Sequence, residues 1–283
     1  MSSSVLMRNN VKILGEGTQY MIFAPGFGCD QNMFRFITGH FAKDYRIVLF
    51  DYVGIGGSDS SAYMPERYSS LSGYVEDVLD VCSAIGARNA IFVGHSVGAM
   101  VGLLASIKEP DYFERMILIG PSPCYLNDPS NDYYGGFDQE QLEGLIQLLE
   151  QNFMGWGSSL AVTVMQNPDR PELASELEAS FCSIDPDVAL RFSMATFFSD
   201  NRKDLSLVSV PSLILQCRED VIAPVAVGEY MNRNLKESEY RLMQATGHCP
   251  HLSHPQETID LISEYLSHPA GSNRRTEERG NHG

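Results

Sequence analysis

Basic residues are scarce in this 283-residue chain: 20 Lys and Arg stand against 36 Asp and Glu, a formal net charge of −16. No basic stripe exists to displace counterions from phosphates, so nucleic acid is excluded as a partner. Long apolar runs are missing too. None reaches the roughly 18 residues that crossing a bilayer requires, so membrane insertion is not expected. The first ten residues lack the basic and apolar regions of a secretory signal. The cysteines, Cys29, Cys82, Cys124, Cys182, Cys217 and Cys249, have no paired spacing, and several sit in apolar stretches as reduced core cysteines do. These absences point to a cytoplasmic protein without disulfides. No internal repeat is found, and only one tryptophan, Trp156, is present.

What is present is an ordinary globular composition, 43% apolar and 10% aromatic, arranged in a regular alternation. Short runs rich in Ile, Val, Leu and Phe occur at Tyr20–Ala24, Tyr45–Asp51, Asn89–Gly94 and Arg115–Gly120, each closing on Gly, Pro or Asp or just before one. Between them, Leu71–Cys82 repeats apolar residues on one helical face, and Val97–Ile107 is a further apolar helix. Alternation resumes at Ser212–Cys217, a helix near Pro224–Leu235, Glu239–Gln244 and a last helix starting at Pro255. Near-continuous apolar strands with intervening helices predict an α/β fold with a mostly parallel central sheet covered on both faces. The rhythm breaks at 126–200, which reads as helical with no clear strand. We take 1–125 and 201–267 as the core, 126–200 as a helical lid inserted into it, and 268–283 as a polar, disordered tail. The lid segment holds 13 Asp and Glu against two Arg, a net of −11, and such a field disfavours anionic ligands.

The sharpest local signal is Gly94-His95-Ser96-Val97-Gly98. It follows a strand and opens a helix, the context in which G-x-S-x-G forms a strained elbow that exposes a nucleophilic serine. A serine hydroxyl needs a base, and the base needs an acid to fix its tautomer. In chain order the candidates are Ser96, Asp220 and His248. All three follow predicted strands, at the sheet end where open α/β folds place their sites. Glu219 is the rival acid, with a longer side chain in a neighbouring position. Backbone N–H groups of Phe27, in Pro25-Gly26-Phe27-Gly28, and of Val97 are the expected oxyanion donors. No metal is expected: His248-Cys249-Pro250-His251-Leu252-Ser253-His254 is rich in ligand atoms, but Pro250 interrupts the helix that would align them and no second cluster exists. Gly54-Ile55-Gly56-Gly57 lacks the Lys-Ser/Thr of a phosphate loop, Cys29 reads as a bystander, and no cofactor is implied. Phe137, Trp156, Phe192, Phe197 and Phe198 are the expected aromatic lining of an apolar, mostly closed pocket for a small, neutral, hydrophobic ligand.

With these residues in place, a resemblance emerges. Phe23-Ala24-Pro25-Gly26-Phe27-Gly28-Cys29-Asp30-Gln31, Leu49-Phe50-Asp51-Tyr52-Val53-Gly54 and Phe92-Val93-Gly94-His95-Ser96-Val97-Gly98-Ala99 resemble the RsbQ-type α/β-hydrolases, regulators of the general stress response in Bacillus and its relatives. So do the run from Gly120 to Pro129, Tyr134-Gly135-Gly136-Phe137, and Gly247-His248-Cys249-Pro250-His251. The resemblance spans 5–266, lid included, and extends to the plant strigolactone and karrikin receptors, which keep the triad. It implies an α/β-hydrolase fold, catalysis by Ser96, Asp220 and His248 with Phe27 and Val97 as donors, and positive regulation of sigma-B. The implied partner is an RsbP-like PAS-domain phosphatase, served by hydrolysing or supplying a small hydrophobic ligand. The tail after Ser267 departs from the pattern. A stand-alone carboxylesterase on small neutral esters is the alternative.

Overall fold

The computed structural model describes residues 2–268, so the tail from 269 onward, expected to be disordered, lies outside the described residues. Seven strands form one sheet: β1 (Lys12–Leu14), β2 (Tyr20–Ala24), β3 (Arg46–Leu49), β4 (Ala90–His95), β5 (Phe113–Ile119), β6 (Ser212–Glu219) and β7 (Ser238–Thr246), in the spatial order 1-3-2-4-5-6-7. β1 runs antiparallel to β3, and every other pairing is parallel. The parallel strands explain the near-continuous apolar runs, because both faces of the sheet are covered and neither face is free to be polar.

The period-2 geometry of a strand sorts its residues cleanly. Ile22, Val48, Phe92, Met116, Leu118 and Ile214 join one core layer, while Met21, Phe23, Ile91, Val93, Ile117 and Leu213 join the other. The first layer lies beneath α3 (Leu71–Ile85) and α4 (Val97–Lys108); the second is closed by α2 (Arg35–Phe41) and α11 (Pro255–Ser267). α3 is longer than its apolar periodicity alone requires and stops where Gly86 adopts φ +67°, a left-handed cap that a side chain disfavours. The remaining short elements of the core are α1 (Ser2–Arg8), α9 (Val225–Asn234) and α10 (Pro250–Ser253). α1 brings Arg8 to the buried carboxylate Asp77, which also accepts from the Tyr68 hydroxyl and the Val53 amide.

Between β5 and β6 the chain leaves the sheet and makes α5 (Gln139–Gln151), α6 (Phe153–Met165), α7 (Pro171–Cys182) and α8 (Pro186–Phe197). Their starts are written locally: Asp138 and Gln141 form a reciprocal capping box on α5, Asn152 caps α6, and Pro171 and Pro186 occupy first-turn positions. These helices sit over the carboxyl end of the sheet and are tied down there. Arg35 on α2 grips Glu176 on α7 through two contacts of 2.6 Å, and the Ser180 hydroxyl donates to the Gly28 carbonyl at 2.7 Å. At the base of the segment, Arg202 bridges Asp128 and Asp200. Part of the acidic surplus of 126–200 is therefore committed to ion pairs. Among the described residues, no helix is long and apolar enough to cross a membrane.

Candidate active site

Ser96 occupies the single residue between β4 and α4, at φ +54° and ψ −124°. For a non-glycine residue that conformation is strained, and it persists only because its surroundings hold it. Two features do so. The Ser96 amide donates to the Ile119 carbonyl of the neighbouring strand at 2.8 Å. The flanking glycines allow a contact closer than any side chain would permit: a Cβ on Gly94 would lie 2.5 Å from the Ala99 Cα, and one on Gly98 would lie 2.4 Å from the Pro25 carbonyl oxygen. Both obstacles are backbone. The elbow thus packs β4, α4 and the loop after β2 at a separation only glycine allows.

The serine hydroxyl donates to His248 Nε2 at 2.7 Å, and His248 Nδ1–H donates to Asp220 Oδ2 at 2.7 Å. The second oxygen of Asp220 accepts from the amides of Ile222 and Ala223 at 2.9 and 3.0 Å, which fixes the carboxylate plane. Glu219, the rival acid, is the last residue of β6, exposed, and its side chain takes no part in this chain of bonds. Ser96, Asp220 and His248 follow β4, β6 and β7, so the three groups converge because their strands are parallel and end at one level.

His248 is also clamped through its backbone. Its amide donates to the Val164 carbonyl at 2.8 Å, and its own carbonyl accepts from His95 Nε2 at 2.8 Å. Val164 lies in the last turn of α6, where carbonyls lack helical partners, and the residue four positions on is Pro168, which has no amide proton to give. Because a carbonyl only accepts, His95 carries its proton on Nε2 and leaves Nδ1 bare. Burial drives the His95 imidazole down to about 3, so it stays neutral. Its Nδ1 faces Gly26, where a Cβ would come within 2.6 Å. His251, packed between His95 and Phe34 and also fully buried, is held well below the usual imidazole range by the same desolvation. His254 turns to the Ser253 hydroxyl instead. Among the described residues no group of three His, Cys, Asp or Glu side chains converges on a point that would hold a metal ion.

Phe27 lines the same cavity as Ser96 and Val97 follows Ser96 directly, and neither residue's amide donates to another group among the described residues. Val97 is the first residue of α4, whose N–H has no helical acceptor. The Phe27 loop is closed by the Cys29 amide on the Gly26 carbonyl at 3.2 Å and turns through Gly28 at φ +70°. Cys29 and Cys249 lie beside the site, and burial pushes both thiols well up, leaving them neutral and weakly nucleophilic. The Gly54–Gly57 turn is structural: the Gly57 amide donates to Asp51 Oδ2, and Asp51 also takes the Gln31 amide and the Asn10 side chain.

Above Ser96 the space is nearly filled. Phe27 meets Phe192, Phe197, Phe181 and Trp156 at ring-centroid distances of 5.2, 5.8, 5.9 and 5.9 Å. The cavity that remains against Ser96 and His248 measures about 30 Å³, room for a water or two and far below the roughly 300 Å³ of a ligand site. Of the five aromatic residues expected to line it, Phe197 does so. Trp156 and Phe192 stand behind Phe27, Trp156 stacked on Phe153 and Phe192 on Tyr74. Both are thereby corrected as lining residues, and two further expectations are corrected with them. Phe137 lines a separate cleft of about 270 Å³ between α5 and α6, with Leu145, Leu148 and Trp156. Phe198, just past the end of α8, lines an outer groove of about 530 Å³ with Met194 and Ala195. The helical repeat explains the second: residues 194 and 198 share one face of α8, and 192 and 196 share the opposite one. Sequence reasoning missed Tyr125, Thr196 and Ile222, which line the cavity itself. Tyr125 is fully buried with its phenol against Ser96, and burial pushes it up to about 12. Tyr125 sits in the run from Gly120 to Pro129 but has no role assigned there, Thr196 and Ile222 belong to no motif, and only the fold brings the three to the serine.

Known proteins agree with this architecture. Residues 20–255 match the alpha/beta hydrolase fold family. The chain is 39% identical over 261 residues to Karrikin insensitive 2 receptor CA of Petunia hybrida, covering 92% of this chain and 96% of the relative. It is 35% identical over 268 residues to Strigolactone esterase RMS3 of Pisum sativum, covering 94% and 100%. A hydrolase from Oleispira antarctica superposes with a TM-score of 0.92 at 41% identity, covering 95% of this chain and 98% of the other. With the family matched over most of its length and these relatives spanning nearly all of it, the chain belongs to the α/β-hydrolase family, and its relatives include karrikin receptors and strigolactone esterases.

Proposed function

We propose that the protein is a serine hydrolase that cleaves small, neutral, hydrophobic esters or lactones through Ser96, His248 and Asp220. The observation that carries this reading is the unbroken hydrogen-bonded chain from Ser96 Oγ through His248 to Asp220, at 2.7 Å per link. In the first half-reaction Ser96 Oγ bonds to the carbonyl carbon while its proton passes to His248 Nε2. The carbonyl oxygen becomes an oxyanion facing the Phe27 and Val97 amides. The C–O bond to the leaving alcohol then breaks, and His248 gives that alcohol its proton. Water repeats the sequence on the acyl-serine, releasing the acid and restoring Ser96. Asp220 holds the imidazole in the tautomer this requires and stabilises it when charged. The small cavity adds a condition: the aromatic cover, Phe197 and Phe181 foremost, moves before a substrate reaches Ser96.

Ser96→Ala tests the assignment. Hydrolysis of 4-nitrophenyl butyrate falls roughly 10³-fold or more; wild-type turnover by the variant refutes it.

A regulatory role is the second reading. The receptor names of the plant relatives favour it, as do the residue runs that resemble RsbQ-type regulators. In it, the hydrolase supplies or processes a small hydrophobic ligand for an RsbP-like PAS-domain phosphatase that activates sigma-B in the cytoplasm. Deletion of the gene then abolishes energy-stress induction of the sigma-B regulon, and unchanged induction leaves the stand-alone esterase.

A further inference from the structure

Thr196 is the one hydroxyl in the wall of the Ser96 cavity, apart from Tyr125, that the catalytic chain does not use. It sits in the last turn of α8 and is 1% exposed, yet its Oγ1 has no hydrogen-bond partner. A helical Ser or Thr ordinarily donates to the carbonyl four residues back. Ser193 on the same helix does so, bonding the Ala189 carbonyl at 2.8 Å, as does Thr163 on α6, bonding that of Ser159 at 2.9 Å. Thr196 forgoes the equivalent bond to Phe192. A buried hydroxyl with no partner is costly to the fold, and valine of nearly the same shape would fill the position without that cost. Apart from Tyr125, His95 and the pair Ser96 and His248, the rest of the cavity wall is apolar or thiol, with Phe27, Phe181, Phe197, Leu177 and Ile222 among its residues.

Position assigns this hydroxyl to one part of a ligand. Ile222 lines both the cavity against Ser96 and the separate cleft between α5 and α6, so it stands between the two spaces. The cleft is the wider of the two and is walled largely by α5 and α6, so it offers room for a leaving group once the aromatic cover moves. Thr196 lines the small cavity that also holds Ser96 and His248, which is where the acyl portion bonded to Ser96 would lie.

We propose that Thr196 Oγ1 is the polar recognition point of the cavity, donating a hydrogen bond to an ether or carbonyl oxygen within the acyl portion of the substrate. The site then selects oxygenated acyl groups over hydrocarbon ones of the same shape. This rests on the serine-hydrolase reading above. The substrate class it implies is an ester or lactone carrying a second acceptor oxygen two or three atoms from the scissile carbonyl.

The test compares 4-nitrophenyl methoxyacetate with 4-nitrophenyl butyrate, which differ by one ether oxygen in place of a methylene and share a leaving group. The quantity read is the ratio of their kcat/KM values, so the intrinsic reactivity of the two esters cancels between enzymes. Thr196→Val lowers that ratio about five- to tenfold relative to wild type, the value of one hydrogen bond, and Thr196→Ser restores it to within about twofold. A ratio unchanged in Thr196→Val overturns the proposal. The same pair is titrated against Ser96→Ala and Ser96→Ala/Thr196→Val, with Trp156 fluorescence as the readout. Thr196→Val there weakens methoxyacetate binding relative to butyrate by a similar factor, and equal relative affinities also overturn it. Undiminished turnover of both esters by Ser96→Ala would instead defeat the serine-hydrolase reading, while the binding ratio still decides the role of Thr196.

Discussion

His251 offers a perturbation whose size follows directly from its surroundings. It is fully buried, neither ring nitrogen has a partner, and it packs between His95 and Phe34 at centroid distances of 4.5 and 5.1 Å. Desolvation holds it well below the usual imidazole range, and His95 is held at about 3. In the unfolded chain both titrate near 6.5. Above that pH neither state binds a proton at these sites, and their contribution to stability is complete. As pH falls below about 6.5 the unfolded chain takes up protons that the native state refuses, so stability declines until the folded values are passed. Each histidine then costs about 1.4 kcal/mol per pH unit, roughly 2.7 kcal/mol per unit for the pair near pH 5. Against a typical total of about 5–15 kcal/mol, that is a large fraction. His251→Met keeps the volume, packs on Phe34 and removes one titrating group together with its two unpartnered nitrogens. Urea unfolding followed by Trp156 fluorescence at pH 7.0, 6.0 and 5.0 gives the slope. The variant is expected to match or exceed wild type at pH 7 and to lose about 1.4 kcal/mol per unit less on acidification. A slope identical to wild type refutes the reasoning, since it means that His251 is protonated in the native state.

Two further substitutions probe the site. Asp220→Asn keeps the shape but cannot hold the His248 tautomer, so kcat falls about 10³- to 10⁴-fold while the fold, followed by circular dichroism, is retained; activity within tenfold of wild type counts against the acid assignment. Phe197→Ala opens the cover over a cavity of about 30 Å³. It destabilises by about 3–5 kcal/mol and raises kcat/KM for longer acyl chains relative to acetate, a preference that stays flat if the cover does not limit access.

Much of this architecture was legible because the sheet is parallel and buried. Six apolar runs mark β2 to β7, and the observed strands overlap each, with ends displaced by at most two residues. At Tyr45–Asp51 the strand is shorter, Arg46–Leu49, since Asp51 turns away to gather the Gln31 and Gly57 amides. β1 was not legible: its three residues are all exposed at the sheet edge, so no burial pattern was written into them. α2 was missed as well: no element was assigned between the Pro25–Gly28 loop and the next strand. The convergence of Ser96, Asp220 and His248 could be read from chain order because each follows a strand. The cavity wall could not. Phe198 and Phe197 are adjacent in sequence yet face different spaces, Phe137 is diverted to the cleft beside α5, Thr196 carries no motif, and nothing in the run from Gly120 to Pro129 marks Tyr125 as a wall residue. Which side of α8 faces the serine is decided by packing against the sheet, which composition does not encode.

The most direct test of the central claim is to trap the acyl-enzyme. Mixing the protein with excess 4-nitrophenyl butyrate, quenching in acid within the first turnover and mapping peptides by mass spectrometry locates the butyryl group. The account predicts that it sits on Ser96, accumulates further in Asp220→Asn and disappears in Ser96→Ala. A butyryl group found on Cys29 or Cys249, or steady hydrolysis by the Ser96→Ala protein, would contradict it.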